Sequence, residues 1–247
     1  MSLSRQDREQ VHFDQLAEST GEIWWGSTTY AGKMRLHRRA QLIARFLGHS
    51  QGLKVLELGC GTGSLTGPLL DTAVGMELTA CDISPATVER VKDRYGRRPG
   101  TSFFAADACH LGMPEASFDA VVGNSVLHHL PLAEALQEIR RVLKPGGKFW
   151  FSEPNMLNPQ IAVEKNVPWI GRRLQNSPDE TAFFRWSLAS MLRAHGFVGV
   201  HIRPYDFLHP LIPKALVAWV HPVGLCLEQL PGLREIAGSL EIRGENP

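Results

Sequence analysis

The stretch "KVLELGCGTGSLTGPLL", Lys54 to Leu70, decides the fold. Val55, Leu56 and Leu58 make an apolar run of strand length, and Gly59, Gly61 and Gly63 follow it directly. Glycine weakens regular structure, so three of them at a strand exit mark a backbone that turns with positive φ or admits a ligand without meeting a Cβ. A loop of this kind between a buried strand and a helix suits a nucleotide-like group.

Beyond Leu53, short apolar runs alternate with helical patterns, the signature of a parallel sheet wrapped by helices. Strands are expected at 54–58, 77–82, 101–106, 118–123 and 147–152, with helices at 64–70, 85–95 and 132–143. Ser84 and Pro85 form an N-cap and first-turn pair, and "LKPGG" supplies the breakers between the last helix and its strand. Pro68 inside the first helix means that this helix starts late or kinks.

Outside this core, residues 1–51 carry the aromatic cluster "IWWGSTTYAGKMRLHRRAQLIARFL" and a helix over about 33–47. Residues 156–184, with Pro159, Pro168 and Pro178, read as a lid. A helix at 188–195, a strand at 198–203, one or two helices over 213–230 and a strand at 239–243 complete the chain. The expected fold is α/β, a doubly wound, seven-stranded, mostly parallel sheet in a single domain. Residues 1–51 form an N-terminal helical cover, 52–155 the cofactor-binding core, and 156–247 the lid and the C-terminal part of the sheet.

Composition bounds the function. The 247 residues, 43% hydrophobic, suffice for one large core. With 26 Lys+Arg against 25 Asp+Glu, no global field draws the chain to nucleic acid. Cys60, Cys81, Cys109 and Cys226 form no C-x-x-C pair, so neither a metal cluster nor a disulfide scaffold is expected, and a reducing compartment fits. The polar, acidic N-terminus is no signal peptide, and the apolar region 208–230 is too often interrupted to be a transmembrane segment. A cytoplasmic protein is expected. The apolar stretch "DFLHPLIPKALVAWVHPVGLCLEQLPGL" should pack on the sheet, the alternatives being a substrate wall, a homodimer surface or, disfavoured because its polar face is not rich in lysine or arginine, contact with a membrane surface.

In an open parallel sheet, ligands bind beyond the carboxyl ends of the strands, where strand order reverses. Polar residues close four apolar strands in turn: Asp82, Asp107, Asn124 and Glu153. Asp82 stands 23 positions after Gly59, where an acid can accept ribose hydroxyls.

With "VLELGCGTG", "ACDIS", "FFAADA", "SFDAVVGNSVLHHL" and "RRVLKPGGKFWFSEPN" in this order, the chain resembles the class I S-adenosylmethionine-dependent methyltransferases over about residues 53–155. The resemblance implies a Rossmann-like methyltransferase fold and S-adenosyl-L-methionine as cofactor. It implies Glu57 in the acidic position of a glycine motif that includes Gly63, and Gly59, Cys60 and Gly61 around the methionine portion. Asp82 and Ile83 then flank ribose and adenine, Asp107 and Ala108 hold the adenine edge, and Asn124 lies under the sulfonium side. Tyr30 and Trp25 are candidates for closing the cofactor, on position and aromatic character. "LHHL" with an acid after the fifth strand resembles bacterial sugar and natural-product O-methyltransferases, which implies His128, His129 and Glu153 as candidates for a general base.

The methyl group arrives activated, so the protein must align a nucleophile and exclude water, and no metal is required. A hydroxyl acceptor calls for a base, and a neutral imidazole with an ordinary pKa near ~6.5 is the expected form. One of the two histidines could instead brace its loop. Four alternatives compete: a nicotinamide dehydrogenase, disfavoured by G-x-G-x-G in place of G-x-G-x-x-G; a cofactor-binding protein without catalysis; methylation of nitrogen or carbon on a small molecule or lipid; and nucleic-acid methylation, whose Asn/Asp-Pro-Pro-aromatic motif is missing. Arg38, Arg39, Arg172 and Arg173 could meet an acidic acceptor, although exposed arginine pairs are usually solvated.

Overall fold

The structure, a computed structural model, describes residues 5–18, 26–48, 51–173, 177 and 180–247. The run behind the glycine loop is the central strand β1 (Lys54–Leu58), buried at every residue after Lys54. It pairs in parallel with β2 (Glu77–Asp82) on one side and β4 (Phe118–Asn124) on the other. Strand β3 (Thr101–Ala105) continues beside β2, and β5 (Leu143–Pro154) beside β4, again in parallel. Two antiparallel strands, β6 (Val198–Tyr205) and β7 (Ser239–Glu245), finish a seven-stranded sheet of order β3-β2-β1-β4-β5-β7-β6. Order reverses between β1 and β4, so a crevice opens above their carboxyl ends.

Alternation along the strands sends neighbouring residues to opposite faces, and each face has its own helical cover. Val55, Leu78, Val122 and Trp150 face helix α2 (Tyr30–Leu47), which contributes Leu36, Ala40, Ile43 and Leu47, and α3 (Thr66–Thr72), which contributes Leu69. Leu56, Val121, Phe149 and Ile242 face the other way. There they meet Leu136, Ile139 and Val142 of α5 (Leu132–Val142) and Leu188 and Leu192 of α8 (Arg185–Ala194). Helix α4 (Pro85–Tyr95) starts behind the expected cap, with Ser84 Oγ accepting from Thr87 N.

Several boundaries differ for local reasons. Helix α3 starts at Thr66, which leaves Pro68 in its first turn, where a missing N–H breaks no helical bond. Helix α2 starts at Tyr30 because the Thr29 hydroxyl caps it by accepting from Gly32 N. The segment expected to be a lid holds, among the described residues, two short helices, α6 (Pro159–Asn166) and α7 (Pro168–Arg173). An N-terminal helix, α1 (Arg5–Glu18), precedes α2; its polar sequence carries no apolar stripe that would announce it.

The apolar C-terminal segment departs from expectation. It forms α9 (Lys214–Leu227) and α10 (Pro231–Arg234), but α9 buries only Val217 and Gly224 and does not pack broadly on the sheet. Antiparallel β7 already fills the ladder between β5 and β6, and α9 rests instead on the start of α2 through Val217, Ala31 and Leu208.

Candidate active site

The crevice holds a cavity of about 440 Å³. Its floor is the glycine loop, where φ is +64° at Gly59 and +51° at Gly61. A Cβ on Gly59 would stand 2.6 Å from Val126 Cγ2, whereas one on Gly61 would meet nothing within 4 Å. The first glycine therefore lets the β1 and β4 loops touch, and the second leaves open space for a ligand. Gly63 serves neither purpose. It is absent from the cavity wall, and a Cβ there would strike Tyr95 and Val91 of α4, so its place is in helix packing.

Asp82 lines the cavity and organises its floor, one carboxylate oxygen accepting from Gly61 N at 2.8 Å and the other from Ser84 N at 3.0 Å. Burial pushes this carboxyl up from the ordinary aspartate value, against the two backbone N–H groups. Glu57 is buried beneath the loop, takes a hydrogen bond from Thr66 Oγ1 at 2.8 Å, and is pushed up to about 8 by burial. Cys60 is buried and its thiol raised by burial, which makes it packing and not a nucleophile. Ile83, Ala108 and Asn124 line the wall, and Asn124 Oδ1 is buried without a hydrogen-bond partner. Asp107 lines it too, with Oδ1 accepting from Cys109 N at 2.9 Å and Oδ2 accepting from Gln6 Nε2.

On the β4 side, His128 and His129 sit on a single turn of 3-10 helix, Leu127–His129, and part company. Glu153, buried at the end of β5, takes N–H bonds from Val126 and Leu127 at 3.0 Å on one oxygen and approaches His128 Nδ1 at 2.6 Å with the other. Glu153 does not line the cavity; it fixes the imidazole that does. His128 Nε2 stands 3.5 Å from Glu180 Oε1, and Glu180 also pairs with Lys165 from the lid. Burial acts to lower the His128 pKa, but its bonds to Glu153 and Glu180 outweigh it and bring the ring up to about 9. The expectation of an ordinary histidine pKa is thereby corrected. Glu180 is held well below the usual carboxylate range, its burial overcome by His128.

His129 turns towards α1. Its Nδ1 stands 3.1 Å from Glu9 Oε2 and 3.3 Å from Ser177 Oγ, and its ring meets Phe13 edge-on at 5.2 Å between centroids. Burial and the neighbouring His128 lower its pKa. His128, His129 and Glu180 offer three ligand atoms within 4.8 Å of one another, where a divalent ion would compete with Lys165 for Glu180.

Tyr30 does not close the cavity. It is 48% exposed with Lys214 Nζ over its ring, and Trp25 lies outside the described residues. The cover is α1, which supplies Gln6, Glu9 and Phe13 to the wall and is anchored by Asp14, the acceptor of Ser84 Oγ. Of the arginines expected to be solvated, Arg38 and Arg39 turn inward to carboxylates, Arg173 is exposed, and the Arg172 side chain lies outside the described residues. Arg39 lies 3.3 Å from Asp206, and Arg38 forms a bidentate pair with Glu228 at 2.7 and 2.6 Å. Arg35 and Arg39 both reach the cavity wall.

This wall fits a ribonucleoside joined to a zwitterionic amino acid. Asp82 offers hydrogen-bond acceptors beside a glycine floor, and Asn124 Oδ1 lacks a donor. Residues 56–151 match the family described as a methyltransferase domain. The chain is similar to the demethylmenaquinone methyltransferase of Beutenbergia cavernae, 39% identical over 49% of this chain and 48% of that one. It is 30% identical to the demethylmenaquinone methyltransferase of Thermobifida fusca over 64% of this chain and 70% of the relative. The chain belongs to the S-adenosylmethionine-dependent methyltransferases. A solved complex of the Haloferax volcanii Trm112 methyltransferase activator with a methyltransferase shares the fold. Its TM-score is 0.70 at 21% identity, over 95% of this methyltransferase and 97% of that chain. The cofactor is S-adenosyl-L-methionine, and the enzyme is a methyltransferase of class I.

Sequence reasoning missed Gln6, Glu9 and Phe13, Arg35, Lys165 and Glu180. Only the first three carried a signal: they are spaced three and four apart, one face of a helix once a helix is granted.

Proposed function

We propose that this methyltransferase acts on a small molecule, at a hydroxyl oxygen, with His128 as general base. The observation that carries this reading is the His128–Glu153 pair: Nδ1 is committed to a buried carboxylate at 2.6 Å, and the ring lines the cavity. The cofactor supplies a methyl group made electrophilic by its sulfonium. Asp82 and Ile83 hold ribose and adenine, Asp107 and Ala108 the adenine edge, and Glu57, Gly59, Cys60, Gly61 and Asn124 the methionine portion. His128 in its neutral form takes the acceptor proton on Nε2 as oxygen bonds to the methyl carbon, and Glu153 stabilises the imidazolium. Glu153 is a positioning residue. His129 holds α1 over the site. Residues 1–51 act as cover, 52–155 as core and 156–247 as lid and sheet edge of one domain. Near-neutral charge supports a small acceptor over a nucleic acid, and four unpaired cysteines support a cytoplasmic setting.

A second reading is favoured by two relatives named demethylmenaquinone methyltransferases, which suggest an acceptor of that kind. The test is calorimetry with S-adenosylmethionine and S-adenosylhomocysteine, followed by assays of S-adenosylhomocysteine release with demethylmenaquinone and with phenolic and sugar hydroxyls. Asp82→Ala should weaken cofactor binding at least about 10-fold through lost charge-assisted hydrogen bonds. His128→Ala should lower kcat roughly 10²–10⁴-fold with cofactor affinity little changed. Undiminished kcat in His128→Ala would remove the base, and binding of NADH in place of S-adenosylmethionine would remove the cofactor assignments.

A further inference from the structure

Helix α9 is apolar around nearly its whole circumference, with Lys214 its only formal charge. Its packed side is narrow: Val217 sits among Ala31 and Leu208, and Gly224 lies against Phe207. The opposite side presents Leu216, Trp219 and Val223, spaced three and four apart on one stripe. They are 50%, 77% and 58% exposed. Leu211 before the helix and Leu230 and Leu233 after it are exposed as well. Single exposed apolar residues are ordinary, but a stripe running the length of a helix marks an interaction surface.

Charge selects the occupant. Between residues 207 and 234 the only acid is Glu228, which is buried and held by Arg38. Two exposed cations stand beside the stripe: Lys214, which lies over Tyr30, and Lys33, one turn along α2 from that tyrosine. Two copies joined through this face would bring these cations together with no exposed carboxylate on the stripe to compensate. An anionic lipid surface meets both features, apolar insertion and positive charge. We propose that this face docks the enzyme on an anionic membrane surface, with Trp219 and Leu216 at the headgroup boundary. No helix among the described residues is long and apolar enough to cross a membrane, so the contact is peripheral. The face adjoins the cavity, because Pro210 lines the wall and Leu211 belongs to the face. If the methyl-transfer reading holds, an apolar acceptor dissolved in the bilayer reaches the site without crossing water. The docking itself does not depend on that reading.

The test is co-sedimentation of the full chain with phosphatidylcholine vesicles, with and without phosphatidylserine. Binding is expected with phosphatidylserine and should weaken with added salt. Trp219→Asp and Leu216→Asp should each lower the partition coefficient roughly 10-fold or more, and Lys214→Glu several-fold. Calorimetric titration with S-adenosylmethionine checks that each variant remains folded, and it separates failure of docking from failure of methyl transfer. Two results overturn the proposal: a folded wild-type protein that stays in the supernatant with both vesicle types, or vesicle binding unchanged by Trp219→Asp. A dimer in sedimentation velocity that Leu216→Asp dissolves would also overturn it by assigning the face to a second copy.

Discussion

At the scale of single residues, the base role proposed for His128 makes its protonation the control on the pH dependence. A general base must be neutral, and the two carboxylates around this ring hold its pKa at about 9 against the opposing effect of burial. The rate under saturating cofactor and acceptor should therefore climb with pH towards 9 instead of levelling off above a histidine-like ~6.5. Removing the Glu180 carboxylate by Glu180→Gln should move that limb to lower pH and raise the rate near neutrality. An unmoved limb in a pH–rate profile of this variant would detach Glu180 from the base. The same shift bears on stability. A raised imidazole pKa stabilises the fold fully below the unfolded value, and that contribution is lost as pH rises through about 9. His128 was legible in "LHHL" because its turn follows a strand end. Its charge state was not, because Glu180 arrives from the lid and only the folded chain brings it to the ring.

At the scale of elements, α1 is attached at its cavity side by polar contacts and by the Phe13 ring set edge-on against His129. Gln6 bonds to Asp107, Glu9 takes the Ser177 hydroxyl at 2.6 Å, and Asp14 takes that of Ser84. Side-chain hydrogen bonds contribute about 1 kcal/mol each, so the helix is a cover that can be removed without dismantling the sheet. A chain lacking residues 1–18 should keep a cooperative thermal transition close to that of the full chain while binding S-adenosylmethionine at least about 10-fold more weakly. Loss of the transition itself would make α1 part of the core. Apart from β5, the sheet strands were legible to within about two residues, since a buried parallel strand must be a short apolar run closed by a turn. Strand β5 starts at Leu143, four residues before the expected start, so the "LKPGG" expected as breakers lies within the strand. Helix α1 was not, because it docks through Gln6, Glu9 and Asp14 and not through an apolar stripe. The C-terminal helix misled for the opposite reason, its apolar content suggesting burial where the fold leaves it facing outward.

At the scale of the whole molecule, one ionic junction joins the N-terminal cover to the far end of the sheet. Arg35 and Arg39 of α2 meet Asp206 at 2.7 and 3.3 Å, while Arg38 grips Glu228, whose other contact is the Asp206 N–H at 2.9 Å. Arg39 also reaches Ser239 Oγ at 3.1 Å and the Tyr205 hydroxyl at 3.3 Å, so β6, β7 and α2 share a single network. Sequence reading could not find it, because an arginine cluster on a helix looks the same whether it faces water or a buried carboxylate 171 residues away. Asp206 adopts a left-handed φ of +73°, which asparagine also tolerates, so Asp206→Asn removes the charge while leaving the backbone free to stay. Two guanidinium groups would then lose their shared carboxylate in a site where Asp206 is 4% exposed. Removing one partner of such a buried pair costs about 3–5 kcal/mol, measurable by urea denaturation at neutral pH. Burial pushes the Asp206 carboxyl up, but Arg35 and Arg39 outweigh it and hold it below the ordinary value. A depressed carboxylate stabilises the fold above its unfolded pKa, near ~3.9, and that stability is lost as pH falls through the folded value. The wild-type enzyme should therefore lose stability steeply below about pH 4, and Asp206→Asn should start lower and fall less steeply there. Equal stability of the two proteins at neutral pH would mean that the arginines find water or other acceptors, and that the cover and the sheet are held together by Leu36, Ala40 and Ile43 without help from the junction.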